Sequence, residues 1–165
     1  MAHINKITMK TQIGITQKNV DHIVALLSIE LSNEMMLYVK TRKAHWNVTG
    51  ESFMELHKLF EGQYKLLEVA IDEIAERIGK LGEKTIGTMN EFSKLSLIKE
   101  HPGKYISSKD IIKELVKDHE LMIVELRNNI EDCANKYKDA GTTDFLTGLM
   151  LEHETIAWAL RRYLN

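Results

Sequence analysis

Only one proline interrupts this chain, Pro102, so the first hundred residues carry none. Proline ends or kinks helices, and a long stretch without it favours long, uninterrupted ones. Eight methionines and few β-branched runs after the first twenty residues point the same way. The expected class is all-α. At 165 residues, with 44% apolar and 28% charged side chains, the chain suits a single soluble domain with one core.

Apolar spacing locates the helices. Ile23, Leu26, Leu27, Leu31, Met35 and Tyr38 recur at helical intervals and predict a first helix from about Asn19 or Val20 to Asn47, stopped at Thr49-Gly50. Leu56, Phe60, Tyr64, Leu67, Ile71, Ile74 and Ile78 predict a second. It should start near Ser52 with a Ser52/Glu55 capping box and end at Gly79 and Gly82. Residues 83–107 break the pattern and are too many for a hairpin, so they must cross the length of a bundle, with room for a short helix. A third helix opens at Ser108 and runs to Tyr137. A fourth is expected from about Asp144 to Leu164, after a break at Gly141-Thr142-Thr143. Two hairpins joined by a long crossover give a four-helix bundle of ferritin-like connectivity over residues 18–165. Residues 1–17, with Lys6, Lys10 and strand-like alternation of Ile7, Met9, Ile13 and Ile15, read as an extended arm.

Several function classes are disfavoured. A net charge of −2 does not suit wrapping nucleic acid by charge alone. A single cysteine, Cys133, excludes an internal disulfide and fits a reducing cytoplasm. The N-terminal residues carry no long apolar run of the secretory kind, and no segment reads as the roughly 20 apolar residues of a membrane span.

Metal-ligand chemistry is the remaining signal. No histidine has a glutamate three residues before it, which argues against a Glu-x-x-His di-iron site in the bundle core. Folding the last hairpin about Gly141 sets His119 and His153 several turns apart, as two separate core histidines. His45 and His57 instead straddle the first hairpin's turn almost symmetrically, at one level on facing helices. Asp72 and Glu76 share a helix face at i,i+4. Fifteen residues separate His57 from Asp72, about 22 Å along a helix, so one chain cannot close a site from all four. An antiparallel two-fold pairing of the second helix with its own copy, crossing near Tyr64 and Lys65, sets each histidine pair against the copy's acids. Two imidazoles and two carboxylates suit iron, manganese or zinc. On spacing alone, a pair of ordinary surface acids beside Arg77 and Lys80 accounts for Asp72 and Glu76 equally well, and a zinc-stabilised dimer also fits.

The string H-W-N-V-T-G-x-x-F-x-x-L-H-x-x-F from His45 to Phe60, followed by Ile71-Asp72-Glu73-Ile74-Ala75-Glu76-Arg77, resembles the Dps family of mini-ferritins, and the likeness extends along the whole chain. The resemblance implies a hollow homododecamer with ferroxidase sites at two-fold interfaces. His45 and His57 would be ligands from one subunit, and Asp72 and Glu76 ligands from its partner. Glu61 stands where the family often has an aspartate, Trp46 matches a tryptophan beside the site, and Asp144, with Asp139 as a second candidate, matches a pore acid. The implied chemistry is oxidation of Fe(II), preferably by hydrogen peroxide, with ferric mineral stored inside the shell as protection against oxidative damage. The alternative is a DNA-binding protective shell. The arm's lysines are interleaved with apolar residues, which favours packing over constitutive DNA binding.

Overall fold

The computed structural model describes residues 11–105 and 107–164. Five α-helices follow in order: α1 (Gln17–Asn47), α2 (Phe53–Lys80), α3 (Met89–Leu95), α4 (Ser108–Glu131) and α5 (Ala140–Arg161). Between α4 and α5, Asp132–Tyr137 form a wider π-helical turn. α1 and α2 are one antiparallel hairpin and α4 and α5 the other, with α3 on the crossover packed against α1. This is the expected four-helix bundle of ferritin-like connectivity.

Local chemistry sets the helix ends. α1 begins at Gln17, two to three residues before the expected start, because Thr16 caps it by accepting from the Asn19 amide. Val48 leaves the helix in extended conformation and Gly50 takes a positive φ of 106°, which turns the chain into α2. The expected capping box at Ser52 does not form. Ser52 makes no side-chain cap bond, and Glu55 accepts instead from the Tyr163 hydroxyl at 2.7 Å. A full capping box does occur on α3, between Thr88 and Glu91. Ser107, one residue before the expected opening, caps α4 through the Asp110 amide.

The second hairpin differs most from expectation. α5 starts at Ala140, because Asp139 accepts from the Thr142 amide and caps it there. The reversal comes at Lys138, a non-glycine residue at φ 58°. Gly141-Thr142-Thr143 is therefore the first turn of α5 and not a break.

The core runs the length of the bundle. Ile23, Leu27 and Leu37 of α1 pack with Phe60, Ile74 and Ile78 of α2, Leu115, Met122 and Leu126 of α4, and Leu146 and Leu160 of α5, all fully buried. Truncating one such large side chain to Ala costs roughly 2–5 kcal/mol. Contrary to expectation, α1 is by length and composition apolar enough to cross a membrane. In the bundle its inward face includes Glu30, Ser32, Asn33 and Glu34, all at 0% exposure, which makes it a core helix with polar residues packed against its neighbours.

Candidate metal centre

The end of α1 meets the start of α2 across a five-residue turn, and there the imidazoles of His45 and His57 stack with centroids 3.7 Å apart and planes inclined by 23°. Each ring is tied to the other's backbone. Nδ1 of His45 donates to the His57 carbonyl at 2.8 Å, and Nδ1 of His57 donates to the His45 carbonyl at 2.9 Å. A carbonyl oxygen only accepts, so both Nδ1 atoms carry the proton. In the neutral rings both Nε2 atoms therefore present lone pairs. This is the tautomer a metal-binding histidine needs, fixed by the same kind of outer bond that commonly orients metal ligands. The His45 carbonyl lies in the last turn of α1, where the helix has no amide left to satisfy it.

Aromatic side chains hold the pair in place. Tyr64 stands edge-on to His45 at 5.3 Å, and Phe53 lies 5.1 Å from His57. The Arg42 guanidinium covers Tyr64 at 4.3 Å and lies 5.3 Å from the Trp46 ring, while donating to the Tyr38 hydroxyl at 3.2 Å. His45 is nearly buried, whereas Trp46 is exposed beside it. Glu61, one turn beyond His57, forms an ion pair with Lys65. That bond, with the nearby His45 and His57, holds its carboxyl below the ordinary value.

Asp72 and Glu76 lie further along α2, both exposed, with Glu76 paired to Lys80 at 3.1 Å. Helical rise puts Asp72 about 22 Å from His57. Among the described residues, no three His, Cys, Asp or Glu side chains converge on one metal position within the chain. One subunit thus brings two preset imidazoles together and leaves the two carboxylates apart from them. The outer face of α2 between the two groups carries Gly62 and the exposed apolar Leu66 and Val69.

A ferritin-like domain model matches residues 24–165. A low temperature-induced protein of Nostoc sp. is 43% identical over 156 residues, 94% of this chain and 87% of that protein. DNA protection during starvation protein 2 of Bacillus anthracis is 36% identical over 144 residues, 87% of this chain and 97% of that protein. The crystal structure of the Dps protein from Vibrio cholerae O1, described as a member of a broad superfamily of ferritin-like diiron-carboxylate proteins, superposes with a TM-score of 0.88 at 30% identity, covering 95% of this chain and 98% of that one. The chain belongs to the Dps family of mini-ferritins.

Within this Dps-family chain the two pore candidates differ. Asp144 is exposed on the first turns of α5, near Lys138, Thr143 and Thr147. Asp139 is buried at 4% exposure, and its carboxylate is already occupied by Thr142 and by Arg77 at 2.9 Å. Burial opposes ionisation there, but the bonds from Thr142 and Arg77 keep the carboxyl below its ordinary value. Its evident work is capping α5 and tying it to α2.

His119 and His153 do meet, against expectation, with their Nδ1 atoms 2.8 Å apart. The hairpin turns near Tyr137 and Lys138, about four residues before Gly141, which moves the facing level on α5 by about eight residues, or two turns. Sequence reasoning missed Glu30 and Glu34 altogether. Both continue the inward stripe of Leu27 and Leu31, and acids at stripe positions were the signal available. Residues 1–10, with Lys6 and Lys10 of the expected arm, lie outside the described residues.

Proposed function

We propose that this Dps-family protein oxidises Fe(II) at sites shared between two subunits and stores the ferric product inside a closed shell. The observation that carries the reading is the reciprocally bonded His45–His57 pair, whose two Nε2 lone pairs are preset without a third ligand from the same chain. Asp72 and Glu76 of the partner subunit complete the site when α2 packs antiparallel on its copy. Glu61 adds a carboxylate if it leaves Lys65. The shell is a homododecamer built from such dimers, with iron entering past Asp144.

The donor set fits the chemistry. Carboxylates stabilise Fe(III) more than Fe(II) and so lower the potential of bound iron, while imidazole suits iron of either charge. Peroxide takes one electron from each of two Fe(II) ions and two protons, giving two waters and two Fe(III) without releasing hydroxyl radical. The protein's own part is to commit Nδ1 of both imidazoles to backbone carbonyls so that Nε2 is left for the iron, to supply negative charge from the partner, and to keep Trp46 nearby for oxidising equivalents that escape. Names such as DNA protection during starvation protein among its relatives fit a protective role of this kind.

The test is Fe(II) oxidation by hydrogen peroxide, followed by Fe(III) absorbance, in the wild type and Asp72→Ala. The expected result is rapid oxidation in the first and a large loss in the second, with the oligomer unchanged. An equal rate in both would remove Asp72 from the site. Negligible oxidation by the wild type, with retarded DNA at physiological salt, would favour a DNA-binding shell.

A further inference from the structure

Three aromatic rings beside the His45–His57 pair share one cation. Arg42, one turn before His45 on α1, holds its guanidinium carbon 4.3 Å from the ring centroid of Tyr64, 5.3 Å from that of Trp46 and 5.6 Å from that of Tyr38. It also donates to the Tyr38 hydroxyl at 3.2 Å. Among the described residues no carboxylate pairs with Arg42, so nothing there offsets its charge. The two phenols line up behind the metal-facing imidazole. Tyr64 stands edge-on to His45 at 5.3 Å, and Tyr38 stands edge-on to Tyr64 at 6.1 Å. Both tyrosines are half-buried, whereas Trp46 is 64% exposed.

That line is a hazard to a site that handles peroxide. Reducing hydrogen peroxide to two waters takes two electrons, and a site holding a single Fe(II) supplies only one. A nearby phenol can supply the other. One Fe(II), one hydrogen peroxide, one phenol and one proton then give one Fe(III), one phenoxyl radical and two waters. Tyr64 is the first phenol that such a demand meets at His45, and Tyr38 is the second.

We propose that Arg42 guards these tyrosines: its charge keeps electrons on Tyr64 and Tyr38 and leaves Trp46 as the ring that a one-electron oxidant takes first. A guanidinium is attracted to the electron-rich face of a phenol. It is attracted less to the phenoxyl radical and is repelled by the radical cation, so a ring that it covers is harder to oxidise. The effect is largest where the charge is close and water scarce, which describes Tyr64. Tyr38 needs a base to take its phenol proton, and its oxygen faces an N–H donor of Arg42 instead. Trp46 lies farther from the charge than Tyr64 does, in water that screens it, and an indole gives up an electron without first losing its proton. As protection of a working site the guard rests on the iron oxidation proposed above, but the effect of the charge on the rings does not.

Two oxidants separate the claims. The first is photogenerated tris(bipyridine)ruthenium(III), a one-electron oxidant, given in a brief dose to the intact assembly without iron. Peptide mass spectrometry reads the modified side chains, and Trp46 should be modified before Tyr64 or Tyr38. The wild type carries its own comparison in Tyr163, half-buried, with no cation over its ring among the described residues and its hydroxyl donating to Glu55 at 2.7 Å. Tyr163 should be modified about fivefold or more over Tyr64. Arg42→Gln should raise modification of Tyr64 by a similar factor. Arg42→Lys, which keeps the charge but not the guanidinium's cover, should stay near the wild type. Tyr64 modified ahead of Trp46, as readily as Tyr163, or equally in the wild type and Arg42→Gln overturns the guard. Arg42→Lys matching Arg42→Gln overturns it too, because cover and not charge would then be the cause. The second oxidant is hydrogen peroxide with one Fe(II) for each His45–His57 pair, which should give tyrosine products in Arg42→Gln and not in the wild type. Equal products in the two, with iron oxidised, also overturn the guard. No Fe(III) from the wild type sinks the iron reading instead and leaves the ruthenium result to decide Arg42 alone.

Discussion

Two histidine pairs sit on the same bundle and are built in opposite ways. His45 and His57 stack at 3.7 Å near the surface, and each gives its Nδ1 proton to a backbone carbonyl. His119 and His153 lie in the core with centroids 5.1 Å apart and meet ring nitrogen to ring nitrogen, with Glu34 behind. The first pair spends its donors on the main chain and keeps its lone pairs for something outside the subunit. The second spends both on other side chains and has little left over. What a histidine can do is decided by where its Nδ1 is committed, and neither pair could exchange roles without rebuilding its surroundings.

The largest expected effect breaks the outer pair alone. His57→Ala removes one preset lone pair and the bond that His57 Nδ1 donates to the His45 carbonyl. We expect Fe(II) oxidation to fall at least ~100-fold, beyond the 10–100-fold typical of outer-shell losses, with the melting temperature nearly unchanged. Stopped-flow oxidation beside a thermal melt would check both halves. A rate within a few-fold of wild type would remove His57 from the proposed site.

Breaking the inner pair should give the reverse pattern. Glu34→Ala leaves His153 without its counter-charge in the core, a loss of roughly 3–5 kcal/mol for a buried ion pair deprived of one partner. Chemical unfolding should report it, while oxidation per folded subunit stays near the wild-type rate. Intact stability would mean that the pair contributes little.

Next comes a change whose sign depends on pH. Glu30 has a folded value raised to about 7 against an ordinary value of 4.5, so folding is penalised as pH rises through that window and the penalty is complete above it. Glu30→Gln should therefore stabilise the protein at pH 8 by up to roughly 3 kcal/mol and do nothing of that kind at pH 4. Melting curves at both pH values test it, and a gain of equal size at both would disprove the burial origin. Smallest of all is Lys65→Ala. It removes a solvent-exposed pair with Glu61 and should leave the melting temperature nearly unchanged. Because it frees Glu61 beside His45 and His57, titration with Co(II) should show equal or tighter binding. Weaker binding would count against Glu61 as a ligand.

Helix positions in the first hairpin were legible because its apolar stripe is regular and its turn is marked by Gly50. The facing of His45 and His57 followed from their near-symmetry about that turn. The second hairpin was misread because Gly141 resembles a stop, whereas the reversal is made by Lys138 and by the Asp139 cap, signals that weigh little beside a glycine. The π-helical turn has no composition that announces it. The core acids were hidden for another reason. Stripe reading counts apolar residues, and Glu30 and Glu34 become visible only when the stripe's polar members are asked where their charge would go.

The two carbonyl bonds that fix His45 and His57 also close the hairpin, so the short turn between them acts as a gauge. One residue added between Val48 and Ser52 would change the offset between the end of α1 and the start of α2, on which both carbonyl bonds depend. The spacing from His45 to His57 is therefore itself part of the proposed site.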